Sequence, residues 1–247
     1  MISDGNSAVA GRSASGRRPR RTQAERSTET QEKILAAAVE LLHELGYAGT
    51  STNRIAKAAG ISLGALQHQY PTKAELMAAV VRRFATERFI IYRRALKGVP
   101  EGLPRFLALS RASWSLIGTK QLVAAMEIEL AMRQDAEVAA AIGNTLSRHS
   151  AFVRRLLAKI LRTLVNPADP RLEAIRLLNN AVMFGLSLET IRSTSRADID
   201  QALAIWEMSV VALLGIEQDA DATGRNGATR SAPAPVPRRG RADGRIH

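Results

Sequence analysis

The chain has 247 residues, 46% of them from the hydrophobic set, with only 4% aromatic residues and no cysteine. This length allows one large domain or two smaller ones with a sizeable core, and the lack of cysteine excludes disulfides, thiolate nucleophiles and cysteine-bound zinc. A formal net charge of +12 points to a polyanionic partner, nucleic acid before membrane, and no run of about 18 apolar residues is present to span a bilayer.

In chain order, residues 1–26 are rich in Gly, Ser and Arg without a hydrophobic period, and read as a disordered basic arm. They contain no apolar stretch of the secretory kind, so a cytoplasmic, nucleoid-associated location is expected. The first helix is predicted over Glu29–Leu45, capped by Thr28 with Gln31 closing a capping box. Its apolar face is Ile34, Ala38, Leu41, Leu42 and Leu45. Gly46 stands where a helix ends. A second helix follows, capped by Thr50 or Ser51, with Ile55, Ala58 and Ala59 as its apolar face. Gly60 ends it, Ser62 caps a short helix over 63–70, and Thr72 with Glu75 opens a long helix to about Lys97. Five further helices are expected over 104–117, 120–133, 136–165 (with a break near Gly143), 171–193 and 198–214. No strand pattern and no internal repeat appears. Residues 218–247 read as a second disordered basic tail.

The stretch from Gly60 to Gly64, "GISLG", admits two chemistries. It matches G-x-S-x-G, the nucleophile elbow of serine hydrolases, which needs a strand before the serine and a helix after it. The residues before Gly60, "NRIAKAA", are helical in pattern, and of His43, His68, His149 and His247 only His149 could serve as a base. The other reading is the turn of a helix-turn-helix. Gly60 supplies positive φ, Ile61 packs between the helices, and Ser62 caps the N–H groups of the next helix, whose N-terminus can accept a phosphate. Gly64 permits another backbone to come close. Leu66 and Tyr70, four apart, share the core face. Gly64, Ala65, Gln67 and His68 then face outward. Gln can pair bidentately with adenine, His can bond to a base edge or phosphate, and Ala can meet a thymine methyl. An ordinary solvated face over Gln67–Gln69 is the plainer alternative.

With those residues in hand, residues 30–80 resemble the DNA-binding domain of the TetR family of transcriptional regulators. The resemblance is carried by Gly46-Tyr47, Thr50-Ser51-Thr52, Ile55-Ala56, Ala59-Gly60-Ile61-Ser62, Gly64, Leu66, Tyr70, Lys73 and Leu76. It implies phosphate contacts from Ser51 or Thr52, Ser62, His68 and Lys73, and base contacts around Leu63, Ala65, Gln67 and His68. In one departure, relatives usually carry Tyr directly after the recognition-helix Leu, and Gln67 stands there. A solvated charge is the alternative for Lys73.

Beyond residue 80 the resemblance is architectural. It implies a helical effector-binding domain and dimerisation through the last two helices, both apolar over much of their circumference. Leu178, Val182, Leu186, Trp206, Val210 and Leu214 are the expected dimer contacts, in a four-helix bundle; burial within one chain is the alternative. Effector-pocket candidates by residue type are Trp114, Met126, Glu129, Met132, Phe152, Asn180, Met183 and Phe184.

The fold class expected is all-α: an N-terminal three-helix helix-turn-helix DNA-binding domain (27–75), then a helical ligand-binding and dimerisation domain (76–217). The expected function is a ligand-responsive transcriptional regulator, a repressor binding a palindromic operator as a dimer and released by a small effector. Expected partners are operator duplex DNA, a second copy of the chain and an effector of unknown identity. No cofactor, metal site, membrane partner or enzymatic activity is expected. Two alternatives stay open: a non-specific architectural nucleic-acid binder acting through its basic tails, and a serine hydrolase using Ser62. The arm "GRRPRR", residues 16–21, is equally compatible with minor-groove entry and with a solubilising role.

Overall fold

The computed structural model describes residues 22–215, and among them every regular element is a helix. The expected arm "GRRPRR" and the tail 218–247 lie outside the described residues. The elements are α1 (Gln23–Gly49), α2 (Thr52–Ala59), α3 (Leu63–Gln69), α4 (Lys73–Ala95), α5 (Leu103–Trp114), α6 (Lys120–Ala131), α7 (Ala136–Leu161), α8 (Arg171–Ile191) and α9 (Arg196–Leu213).

The helix starts follow local chemistry. Ser51, Ser62, Thr72, Thr119, Asp135 and Ser195 each accept a hydrogen bond from the backbone N–H three residues on, satisfying one of the orphan donors of a first turn. The first helix departs from expectation. It starts six residues earlier, with Thr22 and Glu25 forming the reciprocal capping box. Thr28 lies inside the helix, its hydroxyl donating to Ala24 O, and Gln31 is used elsewhere. Residues 23–26, expected in the arm, are therefore helical. In α2 the buried positions are Ile55 and Ala56, while Ala58 is exposed. Gly143 does not break α7.

Two glycines set the geometry. Gly46 (φ 67, ψ 179) departs from helical geometry near the end of α1. A Cβ there would stand 2.9 Å from Glu127 Oε2, so the glycine allows α6 to approach closely. Gly60 (φ 67, ψ 34) is a left-handed cap on α2, its N–H donating to the carbonyls of Ala56 and Lys57. Ile61 N–H also donates to Ala56 O, closing the turn.

Three buried clusters form the core. The first joins Ile34, Ala38 and Leu42 of α1 to Ile55 of α2 and Leu66 of α3, and continues through Met77 of α4 to Ile128 of α6 and Ile142 of α7. The second joins Tyr92 of α4 to Phe106, Leu161, Ile175 and Val210. The third joins Phe84 of α4 to Trp114, Met126, Met183 and Leu203. Helix α4, 23 residues and about 35 Å long, takes part in all three. The expected boundary at 75/76 thus falls inside α4, whose first two turns complete the core of the N-terminal helices.

The last two helices correct part of the expected dimer set. Val210 and Leu214 are buried within the chain itself. Val182, Leu186 and Trp206 are partly buried against the third core cluster. Only Leu178 of the six is well exposed, and Leu188 of α8 and Ile205 and Met208 of α9 are exposed as well. Periodicity gave each helix an apolar majority, but could not say which stripe the chain covers itself.

Candidate functional site

Helix α3 is seven residues long and divides cleanly. Leu66 is 0% exposed and packs into the first core, with Ile61 and Tyr70 against its edge. Gly64, Ala65, Gln67 and His68 are exposed, and Leu63 is half-buried. Nothing of the chain lies within 4 Å of a Cβ placed on Gly64, so this position faces open space; no backbone of the same chain approaches it. Ser62 Oγ accepts from Ala65 N–H at 3.1 Å. The element before it is a helix, so the strand of a nucleophile elbow is absent from this site. Ser62 is a cap at a helix-turn-helix corner.

The orientation of α3 is fixed by a contact that periodicity does not reveal. Gln69 Oε1 accepts from Gln31 Nε2 at 2.9 Å, and Ser27 Oγ lies within 3.4 Å of the same oxygen. These bonds tie the end of α3 to α1. Gln69 is thus anchored, while Gln67 and His68 are left outward. The signal was a polar residue on the inner side of a short helix, which pattern reading assigns to solvent.

Lys73 is likewise engaged. Its Nζ donates to Tyr47 O at 3.2 Å and sits 3.7 Å from the centre of the Tyr47 ring, a cation–π arrangement. Burial holds this amine below its ordinary pKa, while Asp135 favours the charge. The exposed-charge alternative therefore gives way to a half-buried cation. Ser51 is exposed at the start of α2 and Thr52 is half-buried beside it.

Tyr47 connects this region to the rest of the chain. Its backbone N–H donates to Glu127 Oε2 of α6 at 3.0 Å, and its hydroxyl donates to Asp135 Oδ2 at 2.5 Å. Asp135 Oδ1 in turn accepts from Val138 N–H as the N-cap of α7. Burial and the Asp135 carboxylate push the phenol well above its usual range, and the same bond holds Asp135 below the usual carboxylate range. A second clamp between α1 and α6 is the Lys120–Glu40 ion pair.

Behind this junction, a cavity of about 270 Å³ lies among α4, α6, α7 and α8. Its apolar walls include Phe84, Leu146, Val153, Met183 and Phe184, and its polar groups include Arg88, Glu129, His149, Arg176 and Asn180. A smaller cavity adjoins it and shares Arg88, Val153, Arg176 and Asn180. Of the residues expected in a pocket, Glu129, Asn180, Met183 and Phe184 meet here. Phe152 lines a separate open groove beside α4. Trp114 and Met126 are core residues of the third cluster, and Met132 packs against the first. Arg88, His149 and Arg176 were missed, because charged residues on amphipathic helices read as solvated. Burial holds the His149 imidazole down to about 4, helped by the charges of Arg88 and Arg176. Burial also pushes the Glu129 carboxyl up, against the pull of Arg88. Among the described residues no cluster of three or more His, Cys, Asp or Glu could hold a metal ion, and no helix is long and apolar enough to cross a membrane.

A capped turn, an anchored short helix and its exposed polar face define a helix-turn-helix protein of the DNA-binding class. Residues 34–80 match the family model described as bacterial regulatory proteins, tetR family. Over 60 residues the chain is 55% identical to the HTH-type transcriptional regulator CymR of Pseudomonas putida, a stretch that spans 24% of this chain and 30% of that protein's length. Over 133 residues, 54% of this chain and 68% of the relative, it is 28% identical to an HTH-type transcriptional regulator of Mycobacterium tuberculosis. The fold of a transcriptional regulator from Pseudomonas aeruginosa PAO1 superposes with a TM-score of 0.64 at 25% identity, covering 79% of this chain and 97% of that one. EbrR, a multidrug binding protein complexed with imidazole, shares the fold with a TM-score of 0.55 at 19% identity, covering 77% and 98%. Residues 34–80 thus carry the DNA-binding segment of the tetR family of bacterial regulatory proteins, and the chain shares its all-α fold with a solved transcriptional regulator.

Proposed function

We propose that the protein is a homodimeric repressor that binds a palindromic operator and is released by a small effector. The observation that carries the DNA-reading part is the exposed face of α3, where Gly64, Ala65, Gln67 and His68 surround an anchor, Leu66, that is fully buried. Each protomer inserts α3 into a major groove, and two half-sites about 34 Å apart are read by one dimer. Gln67, His68, Ala65 and Leu63 read base edges. Ser51, Thr52, Ser62, His68 and the Lys73 cation meet phosphates, which position without specifying. A thymine methyl or phosphate can approach Gly64 without a side chain in the way.

The two-fold surface is the outer face of α8 and α9. Leu178, Leu188, Ile205 and Met208 are exposed there, and Ala181, Gly185 and Ala204 are exposed small residues of the same helices. Exposed apolar surface of this extent favours an interface, and small residues let a second helix pair approach.

The effector occupies the cavity between α4, α6, α7 and α8. It releases DNA by binding more tightly to a state with a different spacing of the two α3 helices. Helix α4 and the Tyr47–Asp135 bond link the cavity wall to the DNA-reading helices. EbrR, a protein of the same fold named for multidrug binding, is consistent with such a cavity site.

The test is binding of the full chain to a two-fold symmetric sequence selected from a randomised duplex library. Gln67→Ala with His68→Ala is expected to leave stability within about 0.5 kcal/mol and to erase the preference over scrambled DNA. Full selectivity in that double variant would sink the recognition-helix assignment. A chain lacking residues 1–21 and 216–247 is expected to keep the preference; loss of all binding would favour architectural binding through the tails.

A further inference from the structure

Arg88 lies where the two adjoining cavities meet and lines both. Its Nε and Nη2 donate to the Tyr92 hydroxyl at 3.3 and 3.0 Å, and its guanidinium lies over the rings of Phe84 and Tyr92. Among the described residues, no carboxylate lies within ion-pair distance of it. The contrast with its neighbour is informative. Arg176, which lines the same cavities, is held bidentately by Glu173 at 2.9 and 2.7 Å. A guanidinium partly withdrawn from water, as that of half-buried Arg88 is, is costly without a paired counter-charge, and the hydrogen bonds of Arg88 go to the Tyr92 hydroxyl.

We infer that this cavity takes a compact monoanion, a carboxylate carried on an apolar body, with Arg88 as its anchoring cation. The inference rests on reading the cavity as the effector site, and adds the chemical class of the ligand. A planar guanidinium matches a carboxylate geometrically, and charge-assisted bonds of this kind are about twice as strong as neutral ones. Phe84, Leu146, Val153, Met183 and Phe184 supply an apolar wall for the body of the ligand.

The other ionisable groups facing the cavity are compatible with an anion. Glu129 is the group that would instead select a cation, but it makes no ion pair with Arg88, and burial pushes its carboxyl up against the pull of Arg88, which weakens the charge it sets against an anion. His149 is held neutral by burial and by the charges of Arg88 and Arg176, and its Nε2 is buried without a hydrogen-bond partner. A neutral imidazole offers one N–H to an anion beside the Arg88 guanidinium.

The experiment titrates the full-length protein by calorimetry with benzoate, 2-naphthoate and octanoate, each beside its primary amide and the corresponding primary amine. At least one acid is expected to bind about tenfold or more tightly than its amide, to leave its amine undetected, and to release operator DNA. Arg88→Met, checked for its helical signal and melting, is expected to bind the acid and the amide equally. Should that variant fail to fold, Arg88→Lys keeps the charge but loses the planar fork, and must weaken the acid more than the amide. Amides binding as well as acids, amines binding best, no acid binding, or an acid preference that survives Arg88→Met would each overturn the inference. Amides or amines that bind and release DNA would do so while leaving the effector reading intact.

Discussion

Leu66 is buried while Gln67 and His68 stand in solvent, so adjacent residues of one short helix carry opposite consequences. Leu66→Ala is expected to destabilise the protein by about 2–5 kcal/mol, the range for a large-to-small change in a core, and thermal unfolding measures it. A loss under about 1 kcal/mol would mean that α3 is not seated as described. His149 makes a separate prediction in pH. Its unfolded imidazole titrates near 6.5 and its buried form at about 4. Between these values the unfolded chain binds the extra proton, so stability rises with pH across that window. Acidification from pH 7 removes up to about 3 kcal/mol, beginning near 6.5 and levelling off below 4. Urea unfolding at pH 7 and pH 5 should show a larger loss for the wild type than for His149→Gln. Equal losses would mean that the imidazole is not held neutral. The residue type gave no hint of this, because a histidine among Arg148, Ser147 and Ser150 looks like surface.

Among the elements, the junction at the end of α1 matters most. Tyr47 meets Glu127 through its N–H, Asp135 through its hydroxyl and Lys73 through its carbonyl and ring, so one residue touches α6, the cap of α7 and the start of α4. Tyr47→Phe keeps the ring and its cation–π contact and removes only the bond to the α7 cap. Amide exchange over residues 136–139 is expected to quicken while exchange in α3 stays unchanged. Unchanged exchange at the α7 start would show that the hydroxyl does not hold that cap. Gly46 was legible as a helix end, and Gly46-Tyr47 as part of the family resemblance. The partners of Tyr47 were not, because Glu127 and Asp135 lie 80 and 88 residues away and no local pattern links them. The misplaced cap at Thr28 has the same root. Thr28 and Gln31 have capping-box spacing, but Thr22 and Glu25 have a better one, and Gln31 is drawn to Gln69 across the domain.

For the whole molecule, the proposed two-fold surface is the outer face of α8 and α9. Leu188→Glu or Met208→Glu places a charge where two protomers are proposed to meet. Each is expected to give a monomer in sedimentation and to weaken operator binding at least tenfold, since one recognition helix then binds without its mate. Val210→Glu is the control: Val210 is buried within the chain, so it is expected to unfold the protein rather than split a dimer. A dimer that persists in both surface variants would place the two-fold axis elsewhere.

The sequence by itself determined the helix-turn-helix. That motif is local: Gly60, Ser62, Leu66 and Tyr70 lie within eleven residues of each other, and turn conformation, capping and a four-residue repeat act over just that range. It determined equally that the rest is helical, since Ala- and Leu-rich segments between breakers have no competing period. Only the tertiary structure decided which apolar stripe of α8 and α9 is left uncovered, which polar residues are drawn inward, and that Arg88, His149 and Arg176 share a cavity with Asn180. The reason is physical. Burial and electrostatic environment depend on which helices pack together, and here those helices come from segments some 90 residues apart in the chain.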